Sequence, residues 1–340
     1  MNLVTGGSGF CASFIVNKLL DKGERVNIID PLDFKLQHDN LRLFQGSILD
    51  RKLLRQSFEG VKTLYHTVAL CPIAKAGKEF IRVNVDGTRF VMEEAVRAGV
   101  EKVVHFSSSA ILGTPPMPIS DDAPYDPIGP YGYSKMLGEK VCREFIDDGK
   151  LDISLVRPRT VIGPGRLGIY QILFDWISEG RNVYIIGSGN NLLQFVHGDD
   201  LADVCIGAAG RKGPEVFNVG APEIGTLRED LEALCRHAGS GSKIKSLPTT
   251  LTIGTLKLLD IMKLSPLAPW HYMTYHKDFY FDNKNAKTLL NWKPKYSNQA
   301  ALIESFEWYC KHKEDINKKF GLSHRFALKQ KIIGLLKKIS

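Results

Sequence analysis

Thr5-Gly6-Gly7-Ser8-Gly9-Phe10-Cys11-Ala12 lies between a clipped apolar run, residues 2–4, and a longer amphipathic one, residues 10–20. The pattern predicts strand, tight turn and helix in that order. Small residues let the backbone of the turn approach a ligand closely, and the following helix presents its positive N-terminal end there. A pyrophosphate satisfies both features. An ordinary turn also uses glycine, so the flanking chain decides. Residues 25–29 read as a second strand, and Asp30 ends it about 20 residues beyond the turn, where a carboxylate takes the hydroxyls of an adenosine ribose. No arginine follows Asp30 closely, and Lys35 is the nearest cation. A 2′-phosphate would go unneutralised, so NAD is expected over NADP.

Outward from the turn, short apolar runs keep alternating with longer amphipathic ones. Strands are predicted at 41–44, 63–66, 102–106 and 152–156, and helices over 51–58, 80–98 and 130–147. Pro130 suits the first turn of the last helix, where a missing N–H costs nothing. This alternation implies an α/β fold, a doubly wound parallel sheet of the Rossmann type with right-handed crossovers. After Pro158 the pattern loosens. Gly163-Pro164-Gly165 and Gly187-Ser188-Gly189 bracket a helix over 169–179, and short strands at 193–196 and 216–219 are expected to return to the main sheet. Residues 221–320 hold helices, a proline-rich loop at 265–270 and a closing segment. The expected division is an NAD-binding domain, 1–158 plus 193–220, a smaller interleaved C-terminal substrate lobe, 159–192 plus 221–320, and a tail, 321–340.

Composition narrows the class. The 340 residues are 44% hydrophobic and 24% charged, an ordinary globular balance with room for a sizeable core. No apolar window of about 18 residues occurs, and a glycine turn stands where the apolar stretch of a signal peptide would be, so neither a spanning helix nor a leader is expected. The net charge of +8 is scattered, with no basic stripe or zinc-finger spacing, which argues against nucleic acid. Six cysteines without a CxxC pair predict reduced thiols, a cytoplasmic setting and no metal site.

Tyr131-Gly132-Tyr133-Ser134-Lys135 begins the helix over 130–147, and its i, i+4 spacing puts phenol and ammonium on one face. A cation about 4 Å from a phenolate, at an effective dielectric near 20, contributes on the order of 4 kcal/mol. That is roughly three pKa units, enough to bring a tyrosine towards neutrality as an acid–base group. Tyr309-Cys310-Lys311-His312-Lys313 has the same spacing, and there a solvated helix face is expected. Position separates the two: Tyr131 follows a strand ending in Ser107-Ser108-Ser109, whose hydroxyls can bind a substrate oxygen.

Assembled, these residues resemble the extended short-chain dehydrogenase/reductase family, also called the NAD-dependent epimerase/dehydratase family, with some likeness to its 3β-hydroxysteroid dehydrogenase-type members. The resemblance runs through Tyr65-His66-Thr67-Val68-Ala69, Asn84-Val85-Asp86-Gly87-Thr88, Arg157-Pro158, Gly163-Pro164-Gly165 and Phe195-Val196-His197-Gly198-Asp199-Asp200-Leu201. It implies Ser109, Tyr131 and Lys135 as catalytic residues. It places NAD against Gly6, Gly9, Phe10, Asp30, Ser47, Ile48, Val68, Ala69, Ser107, Tyr131, Lys135 and Pro158. Asn84, Thr160, Arg166 and Lys277 are implied on the substrate side, and a homodimer through the helices carrying Asn84 and Tyr131.

Departures from the family pattern bear on the substrate. Ala12 replaces the third glycine of the turn, Cys11 reads as a packed small hydrophobe, and Ser47 stands where relatives place an adenine-reading aspartate. Ala110 and Ile111 occupy the place of the acid pair of 4,6-dehydratases, so dehydration is not expected. Leu193, Gln194 and Thr160 replace an arginine and an asparagine of nucleotide-sugar enzymes, leaving Arg166 and Lys277 as candidate phosphate ligands. The segment His276-Lys277-Asp278-Phe279-Tyr280-Phe281-Asp282 looks more like the steroid-type relatives. Epimerisation of a nucleotide sugar and net redox on a steroid or other ketone stand close together, the first ahead on frequency. A non-catalytic NAD-binding scaffold is the remaining alternative.

Four further features carry expectations. His66 reads as a satisfied core histidine. Trp270, His271, Tyr272 and Tyr275 read as packing in the lobe, or else as a wall of the substrate pocket. Asp199 and Asp200 have no third carboxylate at metal-ligand spacing and read as helix N-terminal residues. In the tail, Leu328, Ile332, Leu335, Leu336 and Ile339 recur beside Lys329, Lys331, Lys337 and Lys338 as a basic amphipathic helix. Packing on the lobe or a dimer partner is expected for residues 325–340, with peripheral membrane contact as the alternative.

Overall fold

Valine, isoleucine and leucine crowd the short runs because these strands are buried on both faces. In the computed structural model, which describes residues 1–33, 37–72, 76–262 and 267–316, the strands are β1 (Asn2–Thr5), β2 (Val26–Asp30), β3 (Leu41–Gln45), β4 (Thr63–His66), β5 (Lys102–Phe106), β6 (Ile153–Pro158), β7 (Thr160–Ile162), β8 (Val183–Ile186), β9 (Phe195–His197), β10 (Val216–Val219) and β11 (Ile244–Leu247). The helices are α1 (Phe10–Asp21), α2 (Arg51–Ser57), α3 (Glu79–Ile81), α4 (Gly87–Ala98), α5 (Gly129–Asp147), α6 (Ile169–Ser178), α7 (Gly198–Ala209), α8 (Leu227–Ala238), α9 (Thr249–Ile261), α10 (Pro269–Thr274), α11 (Lys284–Leu289) and α12 (Asn298–Ile316). β1, β2, β5 and β6 are buried along their whole length, as parallel strands covered on both faces must be.

Seven strands form one parallel sheet in the order β10-β6-β5-β4-β1-β2-β3, with Leu3 opposite both Asn27 and Leu64. One face packs on α1 and α7 through Ile15, Leu19, Leu201 and Val204; the other packs on α2, α4 and α5 through Leu54, Val91, Met92 and Val141. The order of winding reverses between β1 and β4, so the turn after β1 and the loop after β4 part there and open a crevice. Lys35 lies outside the described residues, as do the tail residues 321–340 and part of the 265–270 loop, whose Pro269 begins α10. Among the described residues, no helix is long and apolar enough to cross a membrane.

Several sequence expectations change. The strand expected at 193–196 does not return to the main sheet; β9 pairs with β7 in a separate two-stranded sheet. Its backbone is already claimed by the lobe, since Gln194 N donates to the Phe279 carbonyl and Phe195 N to Asn298 Oδ1. The helix expected over 80–98 is broken by a π-helical turn, Arg82–Asp86. There the Asn84 carboxamide accepts from Leu70 N at 2.8 Å and donates to Ser134 Oγ at 2.9 Å. Gly138 of α5 lets the two segments touch, because a Cβ there would sit 2.5 Å from the Asn84 carbonyl oxygen.

Tyr309 and Lys313 are not on a solvated face. Tyr309 is fully buried and donates to Asp175 Oδ1 at 3.0 Å, and Lys313 pairs with the same carboxylate at 2.9 Å, fastening α12 to α6. Asp199 and Asp200 do lie in the first turn of α7, but Asp203 joins them one turn on. Lys18 and Lys295 fill the space between Asp199 and Asp203, at 2.5 to 3.3 Å, and turn the acidic trio into a clamp on α1.

His66 is a satisfied core residue, bonded to Thr5 Oγ1 at 2.7 Å and Thr88 Oγ1 at 3.0 Å. Burial, then the nearby Lys135 charge, holds its pKa down at about 3. The unfolded chain therefore binds a proton that the folded one refuses, and stability falls as pH drops from about 6.5 towards the folded value, by about 1.4 kcal/mol per unit. Thermal melts should show Tm falling steadily between pH 7 and pH 4; a flat profile would remove this account.

Candidate active site

The turn after β1 is shaped by contacts that only glycine allows. Gly6 takes φ +73°, a Cβ on Gly7 would lie 2.4 Å from Ile28, and one on Gly9 would lie 2.9 Å from the Gly6 carbonyl. Gly9 caps α1, whose first turn carries no acidic side chain, so its N–H groups and dipole meet the crevice unneutralised. Asp30 is buried at the end of β2 and accepts from Ser8 N at 3.1 Å and Leu32 N at 2.8 Å, which sets its carboxylate against the turn. Val68 closes on Gly6 from the loop after β4. Exposed Ser47 and buried Ile48 follow β3 at the far side. Close backbone approach, a bare helix N-terminus and a carboxylate one strand away fit NAD.

Beyond the C-terminal ends of β4, β5 and β6 lies a cleft of about 180 Å³. Ser107, Ser108, Ser109, Tyr131 and Lys135 all line it, with Ala69, Pro158 and Thr160. Lys135 is buried, donates to the Phe106 carbonyl at 2.5 Å, and is pulled by burial down to about 8. The expected lowering of Tyr131 does not occur: burial pushes the phenol up to about 12, against a hydrogen bond from Ser108. Lys135 shares the cleft wall, yet desolvation outweighs the contacts that lower the phenol.

The structure does not bring every expected residue here. Asn84 is buried with its carboxamide bonded to Leu70 and Ser134, so it braces the wall and does not face the cleft. Lys277 is exposed, and its carbonyl accepts from Asn191 Nδ2. Cys11 packs against the core as expected and also edges the cleft. Arg166 lines the cleft, buried, with its Nε unbonded and its guanidinium over the Phe10 and Tyr170 rings. Trp270, His271 and Tyr275 line the cleft, while Trp270 and Tyr275 also pack in the lobe core; Tyr272 is buried apart from the cleft.

Sequence reasoning missed Arg159. It is 2% exposed, stacks 3.8 Å above the Phe279 ring, and donates to the Gln194 carbonyl and, at 3.1 Å, to Ser109 Oγ. Burial draws its pKa down to about 9. The signal was a second arginine two residues after Arg157, on the strand that leaves the sheet.

A larger cavity of about 550 Å³ adjoins the cleft and shares His271 and Tyr275 with it. Its walls are apolar: Ile172, Trp176 and Ile185 from one side, Leu231, Leu256 and Leu259 from the other. Among the described residues, no arginine, lysine or carboxylate lines it.

A glycine turn at a winding reversal, a buried carboxylate one strand away and a Ser/Tyr/Lys-lined cleft define a dinucleotide-dependent oxidoreductase-type enzyme. Residues 2–220 match the NAD dependent epimerase/dehydratase family, and the chain belongs to that family. It is 41% identical to an uncharacterized protein, y4nG, of Sinorhizobium fredii, over 98% of this chain and 85% of that one. It is 28% identical to a UDP-glucose 4-epimerase of Mycolicibacterium smegmatis over 90% of this chain and 97% of the relative. Against a mouse sterol-4-alpha-carboxylate 3-dehydrogenase (decarboxylating), identity is 30% over 64% of this chain and 62% of the relative.

Asp30 supplies the test of cofactor choice. A carboxylate at the ribose repels a 2′-phosphate, so calorimetry should find NAD about tenfold or more tighter than NADP. Asp30→Ala should narrow that gap mainly by weakening NAD, because the side chain also ties down Ser8 N. Equal affinities in the wild type would sink the assignment.

Proposed function

We propose that the protein transfers hydride, with NAD, at a secondary alcohol or ketone carbon of a bulky apolar substrate, with net oxidation or reduction. The apolar cavity joined to the cleft through His271 and Tyr275 carries this reading. Its size suits a steroid-like skeleton. A nucleoside diphosphate in the same place would need cations on the walls, and the described residues there supply none.

NAD, when bound, supplies the hydride acceptor or donor. The chain supplies the rest. Ser109 Oγ accepts from Arg159, which leaves its own hydrogen to donate to the substrate oxygen. Tyr131 takes up or gives back that oxygen's proton. Lys135, held by the Phe106 carbonyl, keeps a positive charge in the wall and has further N–H groups that would hold the nicotinamide ribose. Trp270 and His271 screen the reacting carbon from water, and Asn84 holds α5 at its distance from the loop after β4.

Epimerisation of a nucleotide sugar is the second reading, favoured by likeness to the UDP-glucose 4-epimerase along nearly its whole length. Arg159 and Arg166 are the cations it would use. Incubation with NAD and either hydroxysteroids or nucleotide sugars, following NADH absorbance and product epimers together, separates the two. The proposed activity makes NADH in step with a steroid ketone. A changed sugar without net NADH would replace it by the second reading.

A further inference from the structure

Among the described residues, the cleft is lined by three cations, Lys135, Arg159 and Arg166, and by no carboxylate. A buried guanidinium normally keeps an acid beside it, as Arg157 keeps Glu139 at 2.6 Å. Lys135 donates one N–H to a backbone carbonyl, and Arg166 lies between the Phe10 and Tyr170 rings with its Nε unbonded. Among the described residues, Arg159 is the one of the three that bonds Ser109. It sits on the lobe side, clamped between the Phe279 ring and the Gln194 carbonyl, with no ion pair among the described residues. Near it are two neutral phenols, Tyr275 and Tyr170, bonded to one another at 3.2 Å and, through Tyr275, to Thr160 at 3.4 Å.

One N–H of this fork goes to Ser109 Oγ. The same oxygen is the anchor for the reacting carbinol in the function proposed above, on which this argument rests. An anion seated on the remaining N–H groups of Arg159 is therefore a near neighbour of the reacting oxygen. A planar, delocalised fork matches a carboxylate, and a single guanidinium balances a single negative charge.

We infer that Arg159 receives a substrate carboxylate carried on the carbon next to the reacting carbinol, so that the substrate is a lipophilic hydroxy acid. The apolar skeleton occupies the larger cavity, the hydroxyl meets Ser109 and Tyr131, and the carboxylate closes the open ion pair. Discrimination against the neutral analogue follows from the unpaired guanidinium that it would leave buried.

Two substrate pairs test this with the full chain and NAD: a 3-hydroxysteroid with and without a carboxylate on the adjacent carbon, and UDP-glucuronate against UDP-glucose. Wild type is expected to prefer the steroid acid by about 100-fold or more in kcat/KM. Arg159→Met should abolish the preference, and Arg159→Lys should keep part of it. General damage to Ser109 would slow acid and neutral members alike, so the ratio, not the rate, reports on Arg159; NADH affinity checks that each variant is folded. Acid preference in the sugar pair alone would keep the carboxylate site and remove the lipophilic reading. Should no compound turn over, calorimetric titration of the enzyme–NADH complex with the same four reads affinity directly. There, a tenfold or larger advantage of an acid that vanishes in Arg159→Met supports the site. Equal handling of acid and neutral members, no binding of any of the four, or an acid preference that survives Arg159→Met overturns it.

Discussion

Tyr131→Phe is expected to lower kcat by about 10²-fold or more while NAD affinity changes by less than twofold. The phenol lies in the cleft wall next to Ser108, and its ring is held edge-on to Phe80 at 6.2 Å, so phenylalanine keeps the packing and loses only the oxygen. Because burial holds the phenol near 12, the oxidation, which must give up a proton, should run faster as pH rises, and the variant should lose that slope. Turnover above half of wild type would mean that Tyr131 is not the acid–base group. Lys313→Ala is the control: its partners are Asp175, Ser178 and Glu179, far along the chain from the cleft residues, so kcat should not change even if Tm falls.

Arg157→Met is expected to cost about 3 kcal/mol of stability. Arg157 and Glu139 are both buried and meet through two N–H···O contacts, at 2.6 and 3.1 Å. Tyr125 and the half-exposed Arg143 also donate to Glu139, which spares part of the loss. Burial alone would raise the Glu139 pKa, yet the Arg157 charge outweighs it and holds the carboxyl below its ordinary range. The stabilisation is therefore complete above the unfolded glutamate pKa, about 4.3, and is lost as pH falls through the lower folded value. In the variant that carboxyl accepts a proton instead of standing buried and charged. Denaturant melts should find the gap from wild type smaller at pH 4.5 than at pH 8. A gap below about 1 kcal/mol at pH 8 would show that Arg143 alone carries Glu139.

Much of the dinucleotide half was legible because its signals are local. A strand, three glycines and a helix dipole occupy a dozen consecutive residues, and β4 and β5 fall where alternation of apolar runs placed them. Tyr131 and Lys135 share a face by helical period alone. The same period misled at Tyr309 and Lys313, since periodicity reports which residues share a face and not what covers it. The covering element there is α6, more than 130 positions away. Asp199 and Asp200 stand at the N-terminus of α7 as read; the third carboxylate, Asp203 at i+4, was overlooked, and the two lysines that fill the clamp come from α1 and from the segment before α12.

The sequence by itself determined the winding of the sheet, the cofactor-side turn and the Ser/Tyr/Lys triplet, because each depends on backbone periods and residue size within one or two elements. Only the tertiary structure decided what meets that triplet. Ser109 and Arg159 are 50 residues apart, Thr160 and Tyr275 are 115 apart, and the walls of the apolar cavity come from α6, β8, α8 and α9. Whether an arginine is solvated or buried without an acid depends on the summed packing of those distant elements, and no short stretch of chain carries that information.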